Sequence, residues 1–155
     1  MIFTKFNGGV FENVLVNDMY LAGYDLLTNE LYSHITSDDY LQTQIRGQCN
    51  KTTRLCVGGA DATATTLQLV ACGNCYAVTS YTSLNIPVEE NEVYWYYTKD
   101  VSFGFSSLIG IHQGDGDLLT TAGNLRLSWT ALTGGYRIGS TKGAAAEHKM
   151  MFIKN

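Results

Sequence analysis

The chain has 155 residues, 45% hydrophobic and only 15% charged, with a formal net charge of −4 and a pI of about 5.2. That is the size of one domain with its own core, and the balance excludes disorder, which needs low hydrophobicity and high charge. The ten Lys and Arg are scattered without a basic cluster, so neither nucleic acid nor an anionic membrane surface is expected as a partner.

The start, MIFTKFNGGVF, has no apolar h-region and no small-residue cleavage site. No apolar run approaches the roughly 20 residues of a bilayer span, so membrane insertion is not expected. The chain reads as cytosolic, or as a mature form whose signal was removed or replaced by Met1.

Alternation of apolar and polar residues runs through the chain and predicts short strands. The first candidates are Phe11–Val16 and Met19–Tyr24, separated by the turn residues Asn17-Asp18. Ser37 is placed to cap a short helix carrying Leu41 and Ile45 one turn apart and ending at Gly47. The same stretch also alternates as a strand, Leu41–Thr43–Ile45. Arg54–Val57 and the row Leu67, Leu69, Ala71 follow, on either side of Gly58-Gly59-Ala60-Asp61. Tyr76–Thr82 and Val93–Thr98 flank the turn Asn85-Ile86-Pro87.

Beyond Lys99-Asp100, Val101, Phe103 and Phe105 alternate with Ser102 and Gly104. Then come Leu108–His112, the turn Gly114-Asp115-Gly116-Asp117, and Leu125, Leu127, Trp129 alternating with Arg126 and Ser128. Tyr136 and Ile138 follow Gly134-Gly135, and Met150–Lys154 closes the chain. Gly143–His148 has good helix formers but is too short to nucleate alone. About ten strands with turns every 8–12 residues predict a single all-β domain over 1–155, an antiparallel, jelly-roll-like β-sandwich.

A β-trefoil is the alternative at this length. The stretch from Arg54-Leu-Cys-Val-Gly-Gly59 to Leu67-Gln-Leu-Val-Ala-Cys72 resembles one repeat of the ricin-type lectins. It lacks that family's Gln-x-Trp signature, and neither later third of the chain repeats it. No sugar-binding residue is therefore carried over from it, and the sandwich is preferred.

Four cysteines, Cys49, Cys56, Cys72 and Cys75, fall within one stretch. A hairpin of Arg54–Val57 with Leu67–Ala71, turning around Thr63–Thr65, sets Cys56 opposite Cys72 and lets Cys49 and Cys75 meet outside them. Disulfides are the leading reading, since even counts in loop-rich secreted domains usually mean bridges. The sequon Asn50-Lys51-Thr52 fits an extracellular setting too, although such tripeptides are common by chance. A structural Zn site on the four thiolates is less favoured, because the gap between Cys49 and Cys56 is too long for a standard knuckle. Free thiols in the cytosol are the third reading. An extracellular location is slightly favoured over a cytoplasmic one.

His34, His112 and His148 lack metal-binding spacing, and no nucleophile elbow, phosphate loop or dinucleotide fingerprint is present. No cofactor is expected. Asp115 and Asp117 could share a Ca²⁺ ion, but a solvated turn explains them more simply. Glu89-Glu90-Asn91-Glu92 reads as a solvated loop.

The aromatic run Tyr94-Trp95-Tyr96-Tyr97 is the most informative feature. A strand splits it between two faces, so Tyr94 and Tyr96 are left over from the core face. Cross-strand packing or burial between two layers is the bland explanation. The functional one is a platform on which sugar rings stack, with polar loops supplying hydrogen bonds. The candidate ligand-binding residues are Tyr94, Tyr96, His112, Gln113, Asp115, Asp117 and Arg137. The expected function is a non-catalytic, lectin-like module that binds carbohydrate, a glycan or cell-surface ligand. The alternatives are an assembly subunit forming a homo-oligomer, fibre or coat, and a small hydrolase with paired carboxylates.

Overall fold

Alternation on this scale becomes two stacked antiparallel sheets in the structure, a computed structural model that describes residues 5–109, 125–131, 134–142 and 146–155. The strands are β1 (Val10–Leu15), β2 (Asp25–Leu31), β3 (Arg54–Ala60), β4 (Thr66–Asn74), β5 (Val88–Glu90) and β6 (Val93–Thr98). They continue as β7 (Ser102–Ser106), β8 (Arg126–Thr130), β9 (Gly134–Ile138), β10 (Thr141–Lys142) and β11 (His148–Lys154). The first sheet has the order β1-β4-β3-β11-β2, and the second runs β10-β9-β8-β7-β6-β5. The layers are those of a sandwich, not the closed barrel of a trefoil. No helix among the described residues is long and apolar enough to cross a membrane.

The core between the sheets joins Leu55, Val57, Leu69, Ala71 and Met151 of the first to Trp95, Tyr97, Phe103, Phe105, Leu127, Trp129 and Ile138 of the second. The sheets approach closely at Gly59, where a Cβ would lie 2.7 Å from Ile138 Cδ1. The first sheet buries its other face as well. Cys56, Leu67, Val70, Cys72, Met150 and Phe152 pack there with Phe6, Tyr24, Val16 and Met19. A strand covered on both faces needs apolar residues at consecutive positions, which is why β3 and β4 read as nearly continuous apolar runs.

The expected strand at Met19–Tyr24 is instead a helix, α1 (Val16–Leu21), followed by Gly23 at φ +93°. Val16 and Met19 sit three apart, and that spacing buries both against the sheet only in a helix. A helix this short does not hold itself, so the apolar face beneath it decides its conformation. The helix expected after Ser37 is present as α2. Ser37 Oγ accepts from Tyr40 N–H at 3.1 Å, and Asp38–Tyr40 continues as a π-turn and a 3₁₀ turn to Gln48, one residue past Gly47. Leu41 and Ile45 are buried, so the helical alternative for this stretch holds.

Tyr76–Thr82, expected as a strand, starts as α3 (Cys75–Val78). The side chain of Asn74 caps it, accepting from the N–H groups of Tyr76 (3.1 Å) and Ala77 (3.2 Å). The acidic run is likewise more than a solvated loop. Val88–Glu90 pairs with β6 through a turn in which Asn91 and Glu92 both have positive φ, the twist that tight hairpins favour. Leu108 and Ile109 are in no strand, and the rest of the expected strand to His112 lies outside the described residues. Residues 143–145 also lie outside them, and His148 opens β11 instead of ending a helix.

All four cysteines are in disulfides, Cys56–Cys72 and Cys49–Cys75. Cys56 and Cys72 are direct partners across the β3–β4 ladder, as the hairpin register requires. The second bridge ties Cys49, just after the 3₁₀ turn that ends at Gln48, to the start of α3.

One side chain locks the two sheets together. Tyr32, just after β2, is buried, and its hydroxyl lies within hydrogen-bond distance of the carbonyl oxygens of Ser128 and Arg137, the latter at 2.7 Å. It enters where the β8–β9 register shifts between Ser128 and Trp129. A Cβ on Gly135 would overlap the Tyr32 ring, so this contact requires glycine there.

Candidate functional site

The ladder of the second sheet sets Tyr96 opposite Gly104, Gly104 opposite Ser128, and Ser128 opposite Arg137. The rows beside it are Tyr94–Ser106–Arg126 and Thr98–Ser102–Thr130. Their chain neighbours Trp95, Tyr97, Phe103, Phe105, Leu127, Trp129 and Ile138 all lie in the core between the sheets. By strand alternation these polar rows therefore occupy the opposite face. Two guanidinium groups, two phenols and several hydroxyls are collected there, around the buried Gly104.

Tyr94 and Tyr96 thus share one face with Arg137, which is distant in sequence. Tyr94 and Arg137 are half-buried, but Tyr96 is only 1% exposed. Its ring is enclosed, so an open platform of two tyrosines is not what the strand presents. Ser102, Ser106, Arg126 and Ser128 are buried too. His112, Gln113, Asp115 and Asp117 lie outside the described residues.

Burying polar groups costs free energy unless each finds a partner, roughly 1–3 kcal/mol for an orphaned group. Ser128 Oγ and Arg137 Nε are buried without a hydrogen-bond partner among the described residues. Arg137 Nη1 donates to Gly139 O at 3.4 Å. Sequence reasoning missed Arg126, Ser128, Ser102 and Ser106, although each alternates with a core residue and so had to point away from the core. Alternation assigns a face, not its burial.

A second polar cluster lies between the sheets. Lys149 is 1% exposed, donates to the carbonyl of His34, and lies 3.7 Å from Glu30 Oε1. Its ammonium also sits 5.1 Å from the ring centre of Trp129 and 5.8 Å from that of Tyr32. Burial lowers its pKa to about 8, against the opposing pull of Glu30. Glu30 in turn accepts from Thr36 Oγ1 and lies 3.5 Å from His34 Nε2. It borders a cleft of about 270 Å³ with His34, Ile35, Thr36, Ser37 and Tyr40. The Tyr32 phenol is raised well above its ordinary value by burial, opposed by the Ser128 hydrogen bond. Lys149, Tyr32 and the backbone beneath Ser128 and Arg137 therefore form one continuous support.

A larger groove, about 420 Å³, lies where the β9–β10 turn faces β1 and β4. Glu12, Asn13, Gln68, Ser140 and Thr141 give it hydrogen-bonding walls. Gly139, which borders it, carries the carbonyl that Arg137 meets. No family model, curated protein or solved structure matches this chain.

Proposed function

We propose that this protein is a non-catalytic recognition module whose ligand is a carbohydrate held on the polar face of the second sheet. The observation that carries the reading is that Tyr94 and Arg137, both half-buried, share the face turned away from the core, beside the buried row Tyr96–Gly104–Ser128. Sugars present vicinal hydroxyls that both donate and accept, and an apolar C–H face. The half-buried Arg137 guanidinium matches the first, and the half-buried Tyr94 ring matches the second. The polar groove beside Gly139 extends the same chemistry. Two disulfides support an oxidising compartment, where a cell-surface glycan would be met.

Glycan-array screening followed by calorimetry tests this reading. Wild type should bind a defined glycan class, while Arg137→Ala and Tyr94→Ala should each weaken binding at least about tenfold, or 1.4 kcal/mol, without unfolding. Absence of glycan binding, or binding indifferent to both substitutions, rejects it. A second reading, an assembly subunit, is favoured by the exposed Leu84, Ile86 and Val88 leading into edge strand β5. Concentration-dependent particles on size exclusion, dispersed by Val88→Lys, would support that reading instead.

A further inference from the structure

Asn50-Lys51-Thr52 is the single Asn-x-Ser/Thr tripeptide in the chain, and all three residues are exposed in the turn between α2 and β3. Asn50 Oδ1 accepts from the backbone N–H of Thr52 at 2.9 Å and from its hydroxyl at 3.0 Å. The turn is held from several sides. Asn50 N–H donates to Thr53 Oγ1 at 2.9 Å, Thr53 Oγ1 donates to Asn155 Oδ1 at 2.8 Å, and Asn74 Nδ2 donates to Lys51 O at 3.1 Å. Cys49, the preceding residue, is anchored by its disulfide to Cys75.

We infer that Asn50 is a site of N-linked glycosylation. Both Thr52 donors draw electron density toward Oδ1, which eases loss of a proton from Nδ2 and prepares that nitrogen to react. In the transfer, Nδ2 attacks the anomeric carbon of an oligosaccharide carried on a lipid pyrophosphate. The N–C bond forms, the C–O bond to pyrophosphate breaks, and the lipid pyrophosphate departs with that electron pair. The amide proton passes to a base of the transferase, and nothing is oxidised or reduced. Lysine at the middle position satisfies the one exclusion of the acceptor tripeptide, which is proline there.

The inference rests on the secretory route that the two disulfides support, and is independent of the ligand reading. Asn50 borders neither cleft and lies off the polar sheet face, so a glycan there leaves those surfaces open. It would instead cover the turn beside the Cys49–Cys75 bridge.

The test is to express the full chain behind a cleavable secretion leader in a eukaryotic cell. Chains whose leader has been removed are collected from both extract and medium. Wild type should show one band shift that peptide N-glycosidase removes, leaving Asp in place of Asn50 on peptide mapping. Thr52→Ala and Asn50→Gln should abolish the shift, and Thr52→Ser should retain it at lower occupancy. Leader-free chains carrying unmodified Asn50, or a shift that survives Thr52→Ala, overturn the inference.

Discussion

The two sheets use the same strand chemistry to different ends. The first is apolar on both faces, with Phe152, Cys56, Cys72 and Val70 under α1 on one side and Leu55, Val57 and Met151 toward the second sheet on the other. The second is apolar toward the core but carries Tyr94, Tyr96, Ser106, Arg126, Ser128 and Arg137 on its opposite face. A face that serves only stability is most cheaply filled with methyl groups and rings. Arginine, serine and tyrosine are nevertheless buried on that face, as Arg126, Ser128 and Tyr96.

Large-to-small change in the shared core should show the greatest effect. Trp129→Ala removes a fully buried ring that stacks on Phe103 at 4.7 Å and receives Lys149, and should cost about 3–5 kcal/mol by denaturant unfolding. Separating Cys56 from Cys72 by a double Ala substitution should cost about 3 kcal/mol, since the bridge closes a loop with a sequence separation of 16. That effect should fall on the first sheet, with α1 losing hydrogen-exchange protection before the second sheet does.

The support linking the sheets should appear as a pH dependence. Lys149 has a folded pKa of about 8 against an ordinary 10.5, so the unfolded chain binds more protons between those values. Stability should therefore rise with pH between about 8 and 10, by on the order of 2 kcal/mol. Above about 10 it should fall, because burial raises the phenols of Tyr32 and Tyr97 and unfolding lets them ionise. Denaturant midpoints from pH 7 to 11 would trace this maximum, and Lys149→Met should flatten its rising side. A monotonic fall in the wild type would contradict the Lys149 assignment.

The smallest effect on stability belongs to the polar face. Ser128→Ala removes a buried hydroxyl that has no partner among the described residues, so stability should change by less than about 0.5 kcal/mol or increase. If glycan affinity drops in the same variant, the two sheets have been separated into support and recognition. A loss of more than about 1.5 kcal/mol would show instead that the hydroxyl is structural.

Much of the second sheet was legible along the chain. Rows such as Phe103–Phe105 and Leu127–Trp129 alternate cleanly because one side meets the core and the other does not, and the Cys56–Cys72 pairing follows from the hairpin register. Where the first sheet is covered on both faces, alternation fades. The edge strand β2, reading Asp-Leu-Leu-Thr-Asn-Glu-Leu, has no buried residue and so no alternation to read, and Met19 and Tyr76, expected in strands, each lie in a short helix. Of the candidate ligand residues, alternation puts Tyr94 and Tyr96 on one face, but nothing along the chain relates Arg137 to them.

By itself the sequence determined the layered β class, the placing of Cys56 opposite Cys72 and the direction in which alternate side chains point, because these follow from local periodicity and ladder register. Only the tertiary structure decided which strands share a sheet, that α1 and α3 are helical, and that Tyr96, Ser128 and Arg137 form one row. Those outcomes depend on what covers each face and which strands become neighbours, and packing between residues far apart in the chain settles both.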